Sequence, residues 1–213
     1  MSQKNNQTHL LYRQAVFLGG AVQHSQLPPD QGLEVAFAGR SNVGKSSAIN
    51  IITDIRALAR TSKTPGRTQQ INSFQLDEKR RLVDLPGYGY AKVPEKLRRA
   101  WAVMVEGYFR YRQSLRGVVL LMDARRPLTA LDRPLVDWCL AANLPFLVVL
   151  TKCDKLSHAQ AGMTRKDTLR HLATSDNNVD VILFSATRKQ GIDEVRQYLD
   201  GWLDNPAMIG DVQ

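Results

Sequence analysis

Apolar and polar positions along this chain fall into two repeating kinds of block. Short apolar runs such as Leu33-Glu34-Val35-Ala36-Phe37-Ala38, Val118-Val119-Leu120-Leu121-Met122 and Pro145-Phe146-Leu147-Val148-Val149-Leu150 lack the two-residue alternation of a half-exposed strand. They suit strands covered on both faces. With the neighbouring patterns they predict strands at 33–38, 69–76, 80–84, 116–122, 145–150 and 179–184. Between them, apolar residues recur at helical spacing. Leu97, Trp101, Met104, Val105 and Tyr108 follow Pro94, which suits a first turn, and Ile192, Val195, Leu199 and Trp202 repeat the pattern later. Helices are predicted near 44–55, 94–113, 129–142, 159–174 and 190–203.

The turn Asp77-Glu78-Lys79 is too short for a crossover helix, so strands 69–76 and 80–84 must form an antiparallel hairpin. The remaining alternation of strand and helix predicts an α/β fold. It would be a three-layer sandwich around a six-stranded, mostly parallel sheet with one antiparallel strand. Residues 1–30 are expected to form an N-terminal tail and an extension packing on the domain edge. Residues 31–204 would be the domain and 205–213 a flexible tail.

The stretch Gly39-Arg40-Ser41-Asn42-Val43-Gly44-Lys45-Ser46 stands between the first of these strands and the first helix, and matches G-x-x-x-x-G-K-[ST]. Gly39 and Gly44 allow close approach of the backbone to phosphate oxygens. The backbone N–H groups then form an anion nest at the positive end of the following helix. Lys45 would place its charge on the β- and γ-phosphates, and Ser46 would offer its hydroxyl to Mg²⁺. A P-loop NTPase sandwich is therefore expected.

Four further segments extend the site. Asp84-Leu85-Pro86-Gly87 ends a strand, where Asp84 should hold Mg²⁺ through water and the Gly87 amide should meet the γ-phosphate. Thr64-Pro65-Gly66-Arg67-Thr68-Gln69-Gln70 lies between this segment and the P-loop. Thr68, immediately before the predicted strand, is preferred to Thr61 and Thr64 as a second Mg²⁺ ligand. Thr151-Lys152-Cys153-Asp154 follows a strand. Its terminal carboxylate can accept two hydrogen bonds from guanine N1–H and N2–H₂, a pairing adenine cannot offer. The Lys152 stem can lie along the base plane. Phe184-Ser185-Ala186 follows the last strand, where the Ala186 N–H can reach guanine O6. Five segments in this order, each at a strand end on one sheet edge, predict a guanine nucleotide-binding domain.

Together with Asp84-Leu85-Pro86-Gly87-Tyr88-Gly89-Tyr90-Ala91-Lys92-Val93 and Asp123-Ala124-Arg125-Arg126-Pro127, the P-loop and the Thr64–Gln69 segment resemble the EngB family, also called YihA or YsxC. Those are bacterial GTPases of the TrmE–Era–EngA–YihA–septin group. The resemblance spans roughly residues 15–205 and is most particular in Tyr88-Gly89-Tyr90-Ala91. It implies a role in assembly of the large ribosomal subunit and a link to cell division and septum formation. In the usual form of the base motif an asparagine stands where this chain has Thr151. The hydroxyl can still tie the loop to the P-loop, with fewer hydrogen bonds.

Hydrolysis of GTP to GDP and phosphate would be carried by Lys45, Ser46, Thr68 and Asp84 through positioning and electrostatics. Tyr88 stands where many GTPases place a water-orienting glutamine, so slow intrinsic turnover is expected. Asn42 resembles a P-loop asparagine that helps hold K⁺ in related GTPases; it serves equally as a loop-stabilising side chain.

Charge bears on the partner. Lys plus Arg exceeds Asp plus Glu by 29 − 20 = 9. Over 92–116, Lys92, Lys96, Arg98, Arg99, Arg110, Arg112 and Arg116 stand against Glu95 and Glu106, with Arg125, Arg126 and Arg133 beyond. Such a segment is read as RNA binding gated by the nucleotide, with a solvated helix face as the alternative. A monomer is expected. Cys139 and Cys153 offer neither a disulfide framework nor a metal spacing. No apolar run approaches the roughly 20 residues of a membrane span, and no lipidation motif or secretory apolar core is present. A cytoplasmic protein without stable membrane association follows. The alternative reading is a switch acting in division or at a membrane without direct RNA binding. A P-loop ATPase or kinase fits poorly with Asp154.

Overall fold

The computed structural model describes residues 10–60, 70–89, 95–173 and 179–204. Its sheet has seven strands: β1 (Val16–Ala21), β2 (Leu33–Gly39), β3 (Ile71–Gln75), β4 (Arg80–Asp84), β5 (Leu115–Asp123), β6 (Phe146–Thr151) and β7 (Asp180–Leu183). The spatial order is β1-β3-β4-β2-β5-β6-β7. β3 pairs antiparallel with both β1 and β4, and the other pairings are parallel, so β3 alone runs against the other six.

The expected hairpin is β3 and β4. The seventh strand is β1, where the sequence predicts only an extension. Gly19-Gly20 reads as a break, and Val16, Phe17 and Leu18 are all exposed, so no apolar alternation marks the strand. Edge position explains both features: one side of β1 pairs with β3, with a register shift between Phe17 and Gly19. The Phe17 ring rests 5.8 Å from that of Phe74.

The helices are α1 (Lys45–Thr53), α2 (Glu95–Tyr111), α3 (Arg133–Ala141), α4 (His158–Leu172) and α5 (Ile192–Asp204). Each lies within a few residues of its prediction. α3 starts later than expected because Asp132 turns its side chain back onto Thr129, accepting from Thr129 N at 2.9 Å and Oγ1 at 2.7 Å. α4 begins at a capping box between Ser157 and Gln160.

Strand residues alternate between two cores. Ala36, Val118, Leu120 and Val148 face Met104, Tyr108, Val136, Cys139 and Leu172 of α2, α3 and α4. Val35, Phe37, Val119, Leu121 and Val149 face Ile49, Ile52, Val195, Leu199 and Trp202 of α1 and α5. Gly117 lets α5 approach β5 closely: a Cβ there would lie 2.6 Å from the Trp202 ring. Three layers result. No helix among the described residues is long and apolar enough to cross a membrane.

The end of the sheet where the parallel strands begin carries a buried ionic cluster. Glu34 of β2 is fully buried. Its Oε1 accepts from Arg81 Nε and Arg112 Nη2, each at 2.7 Å. Its Oε2 accepts from Tyr108 Oη and Arg112 Nε, each at 2.9 Å. Burial alone would raise the Glu34 carboxyl; hydrogen bonds and charge from Arg112 and Arg81 more than reverse this and hold it below its ordinary value. Arg112 therefore does not belong to a solvated basic face. It also donates to Pro28 O at 2.8 Å, fixing the chain entering β2.

Candidate nucleotide site

Parallel pairing brings the C-terminal ends of β4, β2, β5, β6 and β7 to one edge, and the loops leaving those ends hold most of the residues expected to bind nucleotide. Gly39 closes β2. A Cβ there would lie 2.7 Å from Leu121 O and 2.9 Å from Val43 Cγ1, so the close packing of the loop on β5 requires glycine. The loop then turns through two left-handed residues, Asn42 at φ 62° and Gly44 at φ 105°, before α1 begins at Lys45. Strand, tight loop and helix N-terminus follow in the order that an anion nest requires.

Asp84 ends β4 beside Phe37 of β2, and its nearly buried carboxylate forms an ion pair with Lys45 Nζ. The chain continues along the P-loop: Leu85 N donates to Phe37 O at 3.0 Å and Ser41 N to Tyr88 O at 2.9 Å. Leu85 and Pro86 are buried, and Gly87 lies so near Ser41 that a Cβ would stand 3.0 Å from its N and Cα. The Tyr88 hydroxyl donates to Asp132 at 3.0 Å. Burial first, and then the Asp132 carboxylate, push the phenol pKa up, so it stays protonated.

Thr151, Lys152, Cys153 and Asp154 leave β6 and clasp three neighbours. Thr151 Oγ1 donates to Val43 O at 2.6 Å, joining this loop to the P-loop. Lys152, at φ 58°, sends its ammonium to Asn42 O at 2.7 Å and to Asp123 Oδ2 at 3.0 Å. Cys153 N donates to Phe184 O at 3.2 Å, and the buried Cys153 side chain faces Gln190 Oε1 at 3.4 Å. Asp154 accepts from Ser185 Oγ at 2.7 Å. That hydroxyl holds the carboxyl below its usual range. Phe184 is buried, and Ala186 stands half-buried one residue beyond Ser185.

The structure thus gathers residues 39–46, 84–87, 151–154 and 184–186 along one edge. Gly66, Arg67, Thr68 and Gln69 lie outside the described residues. Gln70 is exposed just before β3, its Oε1 beside Gly20 of β1 at the sheet margin. Asp123 carries no role in the sequence reading. Its carboxylate takes Arg125 Nε at 2.9 Å and Nη2 at 2.7 Å as well as Lys152, and these cations, Arg125 foremost, depress its pKa. An acidic residue ending an apolar strand on the same edge was the available signal.

A family model described as "50S ribosome-binding GTPase" matches residues 34–152. A probable GTP-binding protein EngB of Nitrosococcus oceani is 53% identical over 193 residues, covering 91% of this chain and 96% of that protein. The protein of the same description from Salmonella typhimurium is 49% identical over 210 residues, 97% of this chain and 98% of the relative. The chain belongs to the EngB family of GTP-binding proteins. It is a GTPase, and GTP and GDP are its ligands. Among solved structures, a probable GTP-binding protein EngB superposes with TM-score 0.66 at 22% identity, over 80% of this chain and 98% of that one. Era, in complex with MgGDPNP and part of 16S ribosomal RNA, superposes with TM-score 0.63 at 18% identity, over 86% of this chain and 61% of Era. At those identities the two structures attest the shared fold.

The packing of the fold also sets the behaviour of the thiols. Burial raises the Cys139 thiol to about 12. Burial and then Asp154 raise that of Cys153. The thiolate is the reactive form. Neither cysteine should therefore be alkylated by iodoacetamide at pH 7.5 in the folded protein, whereas both should react in urea. Intact mass distinguishes the outcomes, and rapid labelling of the native chain would contradict this burial.

Proposed function

We propose that this GTPase is a nucleotide-controlled switch in assembly of the large ribosomal subunit, gripping ribosomal RNA through a basic face beside its nucleotide site. The observation that carries this reading is the match over residues 34–152 to a family described as 50S ribosome-binding, a span that includes the P-loop, Asp84–Gly87 and Lys152. Exposed arginines on and around α2 and α3 support it. Arg99, Arg110, Arg125, Arg126 and Arg133 are all exposed, and Arg125 and Arg126 lie in the loop that follows Asp123 at the nucleotide edge.

In this reading Lys45 and the P-loop amides hold the phosphates, the Gly87 amide meets the γ-phosphate, Asp154 reads guanine, and the Ala186 N–H meets O6. The hard oxygen donors of Ser46 and Thr68 would hold Mg²⁺, with Asp84 holding it through water. The ion would neutralise charge developing on the transferring phosphoryl group. The chain's own part is to hold GTP in place, to exclude guanine's competitors and to keep Lys45 against the phosphates. The Tyr88 phenol is turned to Asp132, so no side chain at that position orients water, and turnover is slow without an outside contribution. K⁺ beside Asn42 is one such contribution and a partner another. In this reading the protein acts as a monomer in the cytoplasm.

Sedimentation with separated ribosomal subunits tests this reading. The protein should pellet with the large subunit in the presence of a non-hydrolysable GTP analogue and be released by GDP. If all five arginines meet phosphates, affinity should fall by roughly two to three orders of magnitude between about 50 and 200 mM salt. Equal retention in both nucleotide states would reduce the basic face to a nonspecific polyanion surface. No retention would sink the RNA reading in favour of a role in division.

A further inference from the structure

Asp132 is a fully buried carboxylate whose two oxygens serve different purposes. One accepts from Thr129 N and Oγ1, at 2.9 and 2.7 Å, and closes the turn before α3. The other faces the Tyr88 hydroxyl at 3.0 Å and Arg40 Nε at 3.3 Å. Turn closure needs only one acceptor, which an asparagine would provide. A buried carboxylate is costly to desolvate unless it is paired, so the second oxygen implies a further role.

Its two partners come from the P-loop and from the residue after Gly87. Their backbones are joined as well: Arg40 and Tyr88 form a parallel bridge, and Ser41 N donates to Tyr88 O at 2.9 Å. Arg40 Nη2 reaches Arg126 O at 3.3 Å, adding the loop before α3 to the same knot. Gly89, at φ 76°, lets the chain pass so close to Leu131 that a Cβ would lie 2.7 Å from its Cδ1. Gly87 is therefore held between Asp84, fixed by Lys45, and Tyr88, fixed by Asp132.

We propose that Asp132 is a positioning residue for GTP recognition and hydrolysis: together with Arg40 it clamps Tyr88, and so holds the Gly87 amide against the P-loop where the γ-phosphate lies. This inference rests on the reading that Gly87 meets the γ-phosphate. A group acting through that contact alone changes affinity for GTP and leaves affinity for GDP, which lacks the γ-phosphate, unchanged. The clamp thereby sets the discrimination between the two nucleotides.

The test measures binding of GDP and of a non-hydrolysable GTP analogue to the full chain, with steady-state GTP hydrolysis alongside. Tyr88→Phe removes one hydroxyl and leaves the Asp132–Thr129 turn intact, so it stands even if Asp132→Asn destabilises the fold. Both variants should weaken the analogue by roughly tenfold, hold GDP within about twofold and lower kcat. Thr129→Ala removes one of the two donors to the other Asp132 oxygen and keeps the Thr129 N bond, so it should leave the GTP-to-GDP affinity ratio unchanged. Equal weakening of both nucleotides by Tyr88→Phe would make the cluster a general structural contact and overturn the proposal. An unchanged ratio would also overturn it, and Gly87→Ala then separates the two possible errors. If Gly87→Ala shifts the ratio, the γ-phosphate reading survives and the clamp is wrong. If it does not, that reading has failed and takes the clamp with it.

Discussion

Replacing Asp154 with asparagine is expected to lower affinity for GTP by about three to four orders of magnitude and to create affinity for xanthosine triphosphate. The argument begins with Ser185. Arg188 N donates to Ser185 Oγ at 3.1 Å, leaving the hydroxyl proton to point at Asp154 Oδ1, 2.7 Å away. One side of residue 154 must therefore accept. An asparagine satisfies this with its carbonyl and is left presenting NH₂ to the base. Guanine offers donors, N1–H and N2–H₂, to that position, so a donor meets donors and a buried hydrogen bond becomes a repulsion. Xanthine carries a carbonyl at C2 and restores the match. Competition of guanine and xanthine nucleotides for the purified variant decides the matter. Undiminished GTP binding would remove Asp154 from base recognition.

The order of elements was legible because the parallel strands are covered on both faces, and double coverage leaves continuous apolar runs such as Val118–Met122. The P-loop was legible for a different reason: its requirements fall on backbone conformation, and Gly39 and Gly44 advertise these at fixed spacing. What stayed hidden was decided by contacts between residues far apart in the chain. β1 has two glycines and three exposed apolar side chains, and only pairing with β3 makes it a strand. Arg112 reads as one more cation in a basic run, yet Glu34, 78 residues earlier, takes it into the interior. Asp132 falls within the helix predicted near 129–142, and its bond to Tyr88 spans 44 positions. Thr151 was intermediate. Its departure from asparagine was visible, and the sequence allowed a tie to the P-loop, whose partner, Val43 O, only the fold could supply.

Glu34→Ala should cost about 3–5 kcal/mol of stability, because it leaves Arg81 and Arg112 charged and facing each other at the base of the sheet. For a chain of this size that loss corresponds to a fall in Tm on the order of 10 °C. Glu34→Gln keeps the shape and loses the charge, so it should be destabilising as well, though less severely. The pH dependence separates ionic pairing from packing. The Glu34 carboxyl lies below its ordinary value of 4.5 in the folded protein, so its contribution is fully present above that pH and is lost as pH falls through the lower folded value. The gap in stability between wild type and Glu34→Gln should therefore be constant above pH 5 and shrink steadily below pH 4.5. Glu34 sits at the start of β2 and Gly39 at its end, so GDP affinity should survive in the folded fraction of either variant. Denaturant titrations at several pH values, each paired with a GDP binding curve, test both claims. A gap near zero at every pH would mean that Glu34 acts through its shape, and that the two arginines are held by the Pro28, Pro29 and Gln31 carbonyls instead.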